Sequence, residues 1–182
     1  MKKVFLLVAL ISMGNLFSQE SKLEKQFKTD FNFLGIGLSY EIPLSKKWTV
    51  DLSSGVGGGY RVGNGFAAEW VLNSSLAAYL KSEFKYYYNR EKRESKGKNN
   101  LNNSGNFIAF QTKYNSKRFS LSKTELPLEN ALLSEIHWGI QRSLGGNWLF
   151  NFHAGLGYAR DLDFSNGSIY PALGLKFSYK LF

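Results

Sequence analysis

Between residues 148 and 181 the chain carries two runs, joined by a short polar loop, that alternate one residue at a time between large apolar side chains and small or polar ones. In the first run Trp148, Phe150, Phe152, Ala154, Leu156 and Tyr158 share one parity, and Leu149, Asn151, His153, Gly155 and Gly157 share the other. In the second run Leu173, Leu175, Phe177, Tyr179 and Leu181 alternate with Ala172, Gly174, Lys176, Ser178 and Lys180. A period of two marks strands, because successive side chains of an extended backbone point to opposite faces. Ser165-Asn166-Gly167-Ser168 supplies turn residues between the runs, so the stretch reads as a hairpin.

The same alternation recurs upstream. Residues 26–42 carry two short runs that we split near Gly35, because a closed barrel of this type needs an even strand count. Residues 48–61, 70–88, 107–114 and 131–143 read as further strands. WTVDLSSGVG at 48–57 resembles WLFNFHAGLG at 148–157, which suggests equivalent strands of one barrel. The predicted fold is all-β: a closed antiparallel up-and-down barrel of about eight strands. Pro43-Leu44-Ser45-Lys46-Lys47 and Leu144-Gly145-Gly146-Asn147 are tight turns. Residues 89–105, charged and then Asn-rich, show no apolar period and read as a loop, with Arg90 to Lys98 as a solvated basic run.

Alternation alone does not say which face is buried. A soluble barrel hides its apolar face, whereas a membrane barrel turns it to lipid. Three features favour the second arrangement. The polar parity carries Gly55, Gly57, Gly59, Gly139, Gly155, Gly157 and Gly174, which suits a crowded interior with room left for Lys, Glu and Arg. Aromatics bracket the apolar stripes: Trp148 and Tyr158, and Trp48 and Tyr60, form a candidate girdle pair. Ten tilted residues climb roughly 25 Å, about the height of an apolar membrane band. The apolar parity carries no charge before the strand ends, at Arg142 and Arg160.

The N-terminus supports export. Lys2 and Lys3 precede the apolar run 4–13, and a small-residue region follows up to Gln19. We read 1–19 as a secretory signal peptide, too short for a membrane-spanning helix, and 20–182 as one barrel domain. The chain has no cysteine, so neither disulfides nor a thiolate metal site is available. The 23 basic and 14 acidic residues give +9, or +7 once Lys2 and Lys3 leave with the leader. In an exported protein anionic lipid head groups are the nearer partner, and nucleic acid is not expected.

The inward parity gathers the charge. Lys28, Lys81, Lys85, Lys113, Lys176 and Lys180 oppose Asp30, Glu41, Asp51, Glu83 and Glu135. Eight strands enclose a space that side chains fill, so the balance predicts a plugged, ion-paired lumen rather than a pore. His137 and His153, the two histidines, also fall inward. A hairpin turning on Gly145 sets them directly opposite, and Glu135 completes a drawable metal or proton-relay set. Two hydrogen-bonded fillers are the simpler reading, and no metal or cofactor is expected. A lipid-modifying enzyme, a hydrolase or acyltransferase, needs an activated nucleophile beside a base. Ser134 falls on the face opposite His137, so no catalytic residues are assigned. A soluble periplasmic lipid-binding barrel is the remaining alternative.

Several stretches together carry a likeness: Phe17-Ser18-Gln19-Glu20, the turn from Tyr40-Glu41 to Lys47-Trp48, Tyr86-Tyr87-Tyr88-Asn89 leading into a basic and then Asn-Ser-Gly loop, and the terminal Phe182. The chain resembles the small outer-membrane β-barrel families of Bacteroidetes-type bacteria, with OmpA/OmpX-like architecture. The resemblance implies the bacterial outer membrane, with its lipid and lipopolysaccharide as surroundings and a structural or adhesive role. It also implies insertion by the barrel-assembly machinery, which reads the last strand through Phe177, Tyr179 and the C-terminal Phe182. Phe182 departs from the pattern, since strict alternation sets it off the lipid face. A monomer is expected, and no specific activity is implied.

Overall fold

The computed structural model describes residues 22–33, 35–62, 68–71, 76–119, 130–163 and 166–182. The leader read at 1–19, the loop 120–129 and residues 72–75 lie outside these. Ten strands follow in order: β1 (Gln26–Asn32), β2 (Gly35–Pro43), β3 (Trp48–Gly57), β4 (Gly59–Val62), β5 (Ala68–Val71), β6 (Leu76–Tyr87), β7 (Gly105–Phe119), β8 (Ala131–Gly145), β9 (Trp148–Asp161) and β10 (Gly167–Lys180). Eight of them close a barrel in the order β1-β10-β9-β8-β7-β6-β3-β2, and every pairing in it is antiparallel. The break expected near Gly35 separates β1 from β2.

Two long strands read from the sequence are interrupted. Residues 48–61 contribute to β3 and β4, and 70–88 to β5 and β6; among the described residues β4 and β5 form a separate two-stranded sheet. The first break falls at Gly58, between Gly57 and Gly59, where the backbone has no side chain to pack and strands weaken. Tyr60 therefore lies in the small hairpin opposite Trp70, not on the barrel wall. The girdle pair drawn from Trp48 to Tyr60 is corrected accordingly.

The faces divide as the parity predicts. Leu80, Ile136 and Leu156 on the outer face are 64%, 64% and 66% exposed, whereas Lys28, Glu41, Asp51 and Lys85 inside are at most 1% exposed. Trp138, Leu175 and Phe177 also face outward. Outer aromatics gather near the end at which β1 begins and β10 ends. Trp48 packs against Phe84 and Tyr86 with ring centroids 4.8 and 4.7 Å apart, and Trp148 meets Tyr179 at 5.2 Å. Tyr158, on the same outer face of β9, sits toward the other end and is exposed. Phe182 is 71% exposed beside Phe27. Because β10 ends at Lys180, alternation no longer governs the last two residues, and both Leu181 and Phe182 turn outward.

The segment 89–105 is a cap rather than a solvated loop. It forms a short helix α1 (Arg90–Glu94) and a 3₁₀ turn (Leu101–Asn103), and it buries Arg90, Asn102, Asn103 and Ser104. Arg90 donates to the carbonyls of Lys22, Asn100 and Ser104 at 3.2–3.3 Å. Asn102 Nδ2 reaches the Gly146 carbonyl and Ser143 Oγ, both at 3.1 Å. Asn102 and Asn103 take positive φ, 52° and 55°, a conformation that asparagine tolerates better than most residues. This accounts for the asparagine richness: the turn needs left-handed residues whose amides can bond nearby backbone. At the rim Glu91 meets Lys47 at 2.9 Å, and that bond raises the pKa of the Lys47 ammonium.

Candidate functional site

Just inside the cap lies a layer of buried apolar side chains. Tyr87 and Phe107 are fully buried with ring centroids 5.5 Å apart, and Leu23 and Ala109 join them. The next layer is ionic. Lys28 Nζ lies 2.8 Å from Glu41 Oε2 and 3.0 Å from Asp51 Oδ2, and Lys85 Nζ lies 3.3 Å from the same Asp51 oxygen. Glu41 also accepts from Thr49 Oγ1 at 3.0 Å, Tyr87 Oη at 2.9 Å and Gln141 Nε2 at 3.3 Å. Two ammoniums face two carboxylates, and neutral donors take up further Glu41 lone pairs. A buried ionic cluster persists only on those terms.

The remaining charged positions continue upward. Asp30 accepts from Lys176 at 3.0 Å and from Ser178 at 2.6 Å. Lys81 lies 3.6 Å from Glu83, and Lys113 sits over the Tyr79 ring at 4.7 Å. Lys180 lies instead at the capped end, 3.1 Å from Glu24 Oε2 and 3.4 Å from Asn102 Oδ1. Register gives the layer its order. Glu41, Asp51, Glu83, Gln111 and Glu135 are successive cross-strand partners, one per strand over five strands. Lys81 and Lys85 flank this row on β6.

The glycines leave space, but chiefly for rings. A methyl group on Gly139 would lie 2.4 Å from the Phe107 ring, on Gly157 2.4 Å from the Tyr170 ring, and on Gly174 2.1 Å from His153 Cε1. Ring-over-glycine packing across a sheet shields backbone that lacks a side chain. The expectation that glycine makes room mainly for lysine and glutamate is corrected. Inward Tyr79, Tyr87, Phe107 and Tyr170 follow from strand parity, yet an aromatic alone does not announce which face it fills.

Above the ionic layer lies a cavity of about 610 Å³. β1 reaches only as far as Asn32 opposite Lys176, so the upper half of β10 lacks a β1 partner. Phe33, Gly35 and Gly57 line one flank of the cavity and Pro171, Leu173 and Gly174 the other. Pro171 fits there, because a proline inside a fully paired strand would delete a ladder bond. Glu83, Glu135, Lys113 and His153 border the same space.

His137 and His153 are not directly opposite. His137 pairs with Gly155, and Gly139 with His153. Gly145 and Gly146 both adopt positive φ, and Gly145 pairs with Trp148, so the chain turns through Gly146 and Asn147 rather than on Gly145, and the ladder beyond Ser143 is centred one residue past the expected position. The imidazoles become diagonal neighbours and stack, with centroids 4.2 Å apart. Glu83 Oε1 lies 3.2 Å from His137 Nε2, and Glu135 accepts from Gln111 at 2.9 Å and Tyr170 at 2.6 Å. Ser134 stays on the outer parity of β8, away from His137. No family model, curated protein or solved structure matches the chain.

Proposed function

We propose that the protein is an integral outer-membrane barrel with a structural or adhesive role and a lumen sealed at the capped end. One observation carries this reading: the barrel is apolar outside and charged inside. Exposed Leu80, Phe84, Ile108, Phe110, Ile136, Trp138, Leu156, Leu173 and Leu175 lie on its outer wall. Water-soluble monomers rarely expose contiguous apolar patches beyond a few hundred Å², whereas a bilayer solvates such a belt. The outer aromatics at the end where β1 begins suit the headgroup level. In this orientation the start of β1, the end of β10, the tight turns and the cap face the periplasm, and the β4–β5 hairpin faces the exterior. A long periplasmic connection is unusual, and its packing across the lumen supplies a reason for it.

Fractionation of cells, followed by gel electrophoresis with and without boiling, tests the reading. The protein should stay with outer-membrane lipid and migrate faster unboiled. Recovery in the soluble fraction would favour a periplasmic lipid-binding barrel. Reconstituted in planar bilayers it should show no steady conductance, since Tyr87, Phe107, Lys28 and Lys85 fill the lumen at the capped end and are themselves buried.

A further inference from the structure

We infer that Glu135, His137 and His153 form a binding site for one first-row divalent transition ion inside the barrel. Among the described residues they bring three potential donor atoms within 4.8 Å of one another. The spacing is informative. His137 Nδ1 lies 3.6 Å and His153 Nε2 3.8 Å from Glu135 Oε2. Both separations are too long for hydrogen bonds. They approach the roughly 3.4 Å that separates two ligands sharing a tetrahedral ion at about 2.1 Å.

The surroundings prepare these atoms for a cation. His137 is 1% exposed and its Nδ1 has no hydrogen-bond partner, an unusual state for a buried polar atom. Its Nε2 faces Glu83 at 3.2 Å. With the proton held on Nε2 for Glu83, Nδ1 carries the lone pair, 3.6 Å from Glu135 Oε2. A carboxylate behind a liganding imidazole is the usual supporting arrangement. Glu135 is held by Gln111 and Tyr170. Gly174 clears the space that the His153 ring occupies. The rings stack at an interplanar angle of 22°, so binding requires them to turn until both nitrogens face the ion. Glu135 and His153 border the cavity, so water can complete the coordination. Two imidazoles and one carboxylate suit zinc, iron(II) or cobalt(II) better than calcium or magnesium. The site stands on lumen geometry alone and does not depend on where the barrel resides.

The chain contains two histidines and no cysteine, which makes the test clean. The barrel is produced without a histidine tag, labelled with ¹⁵N-histidine and reconstituted in detergent, then titrated with Zn²⁺. Both imidazoles should shift together and saturate at one equivalent, and Co²⁺ should give visible d–d absorption at the same stoichiometry. His153→Ala and Glu135→Gln should each weaken Zn²⁺ binding at least tenfold. Gly174→Ala removes no ligand but pushes the His153 ring aside, and it should weaken binding while the unboiled band keeps its mobility. Absence of shifts at ten equivalents overturns the proposal. So does a shift of one imidazole alone, or unchanged affinity in both His153→Ala and Gly174→Ala. Should Glu135→Gln fail to fold, those two variants decide the matter.

Discussion

Asn103 and Glu24, 79 residues apart in sequence, exchange two hydrogen bonds: the Glu24 amide donates to Asn103 Oδ1 at 2.8 Å, and Asn103 Nδ2 donates to the Glu24 carbonyl at 2.9 Å. One side-chain amide thus pairs with backbone as a neighbouring strand would, and it fastens the N-terminal lead-in to the cap. Asn103→Ala removes both bonds at a site 1% exposed and places alanine at positive φ. The expected loss is about 1–3 kcal/mol, read as a lower urea midpoint of the refolded barrel. Amide exchange at Glu24 should accelerate more than exchange in β8 or β9. Equal acceleration everywhere would show that Asn103 is not a local fastening.

The ionic layer predicts an asymmetric response. Glu41→Ala leaves Lys28 paired with Asp51, and Lys85 with Asp51 and, at 3.9 Å, Glu83, so two ammoniums lose a shared buried partner, a loss of about 3–5 kcal/mol. Glu41→Ala combined with Lys28→Met removes one surplus charge and should recover part of that stability. Urea unfolding followed by far-UV circular dichroism checks both. If the double variant is no better than the single one, the cluster is not held by charge balance.

Ile136 and Leu156 are cross-strand neighbours on the outer wall. Arginine at either position should cost about 2–4 kcal/mol of folding into vesicles if the site lies near mid-bilayer. On a water-facing surface the same change is usually within about 0.5 kcal/mol. Equilibrium folding into phosphatidylcholine vesicles separates the two environments, and a cost under 1 kcal/mol counts against the membrane reading.

Gly157 lies beneath Tyr170, whose hydroxyl donates to Glu135. Gly157→Ala therefore displaces a ring that is also a hydrogen-bond donor. The expected cost is about 1–3 kcal/mol. Gly97→Ala is the comparison: it has open space around it but positive φ, so its cost should be about 1 kcal/mol from backbone strain alone. Similar losses in both would argue against ring packing as the reason for Gly157.

Inward and outward assignments were legible because they need only local information. Lys81, Glu83 and Lys85 share a face whichever strands lie beside β6. The cap was not legible, because Arg90, Asn102 and Asn103 follow no period and their bonds reach Lys22, Glu24 and Gly146. The hairpin of β8 and β9 was legible, but its exact register was not. A shift of the turn by one residue took His137 from His153 to Gly155.

Sequence by itself determined an all-β chain of alternating strands, and with it the set of lysines and carboxylates that share the polar face. This follows from the pleat, which sends neighbouring side chains to opposite sides without reference to any other strand. Tertiary structure decided which of those side chains meet. The row from Glu41 to Glu135, the stacked imidazoles and the apolar layer inside the cap depend on register summed across many strands. Turn geometry at residues such as Gly145 and Gly146 sets that register, and a one-residue change there moves every contact beyond it.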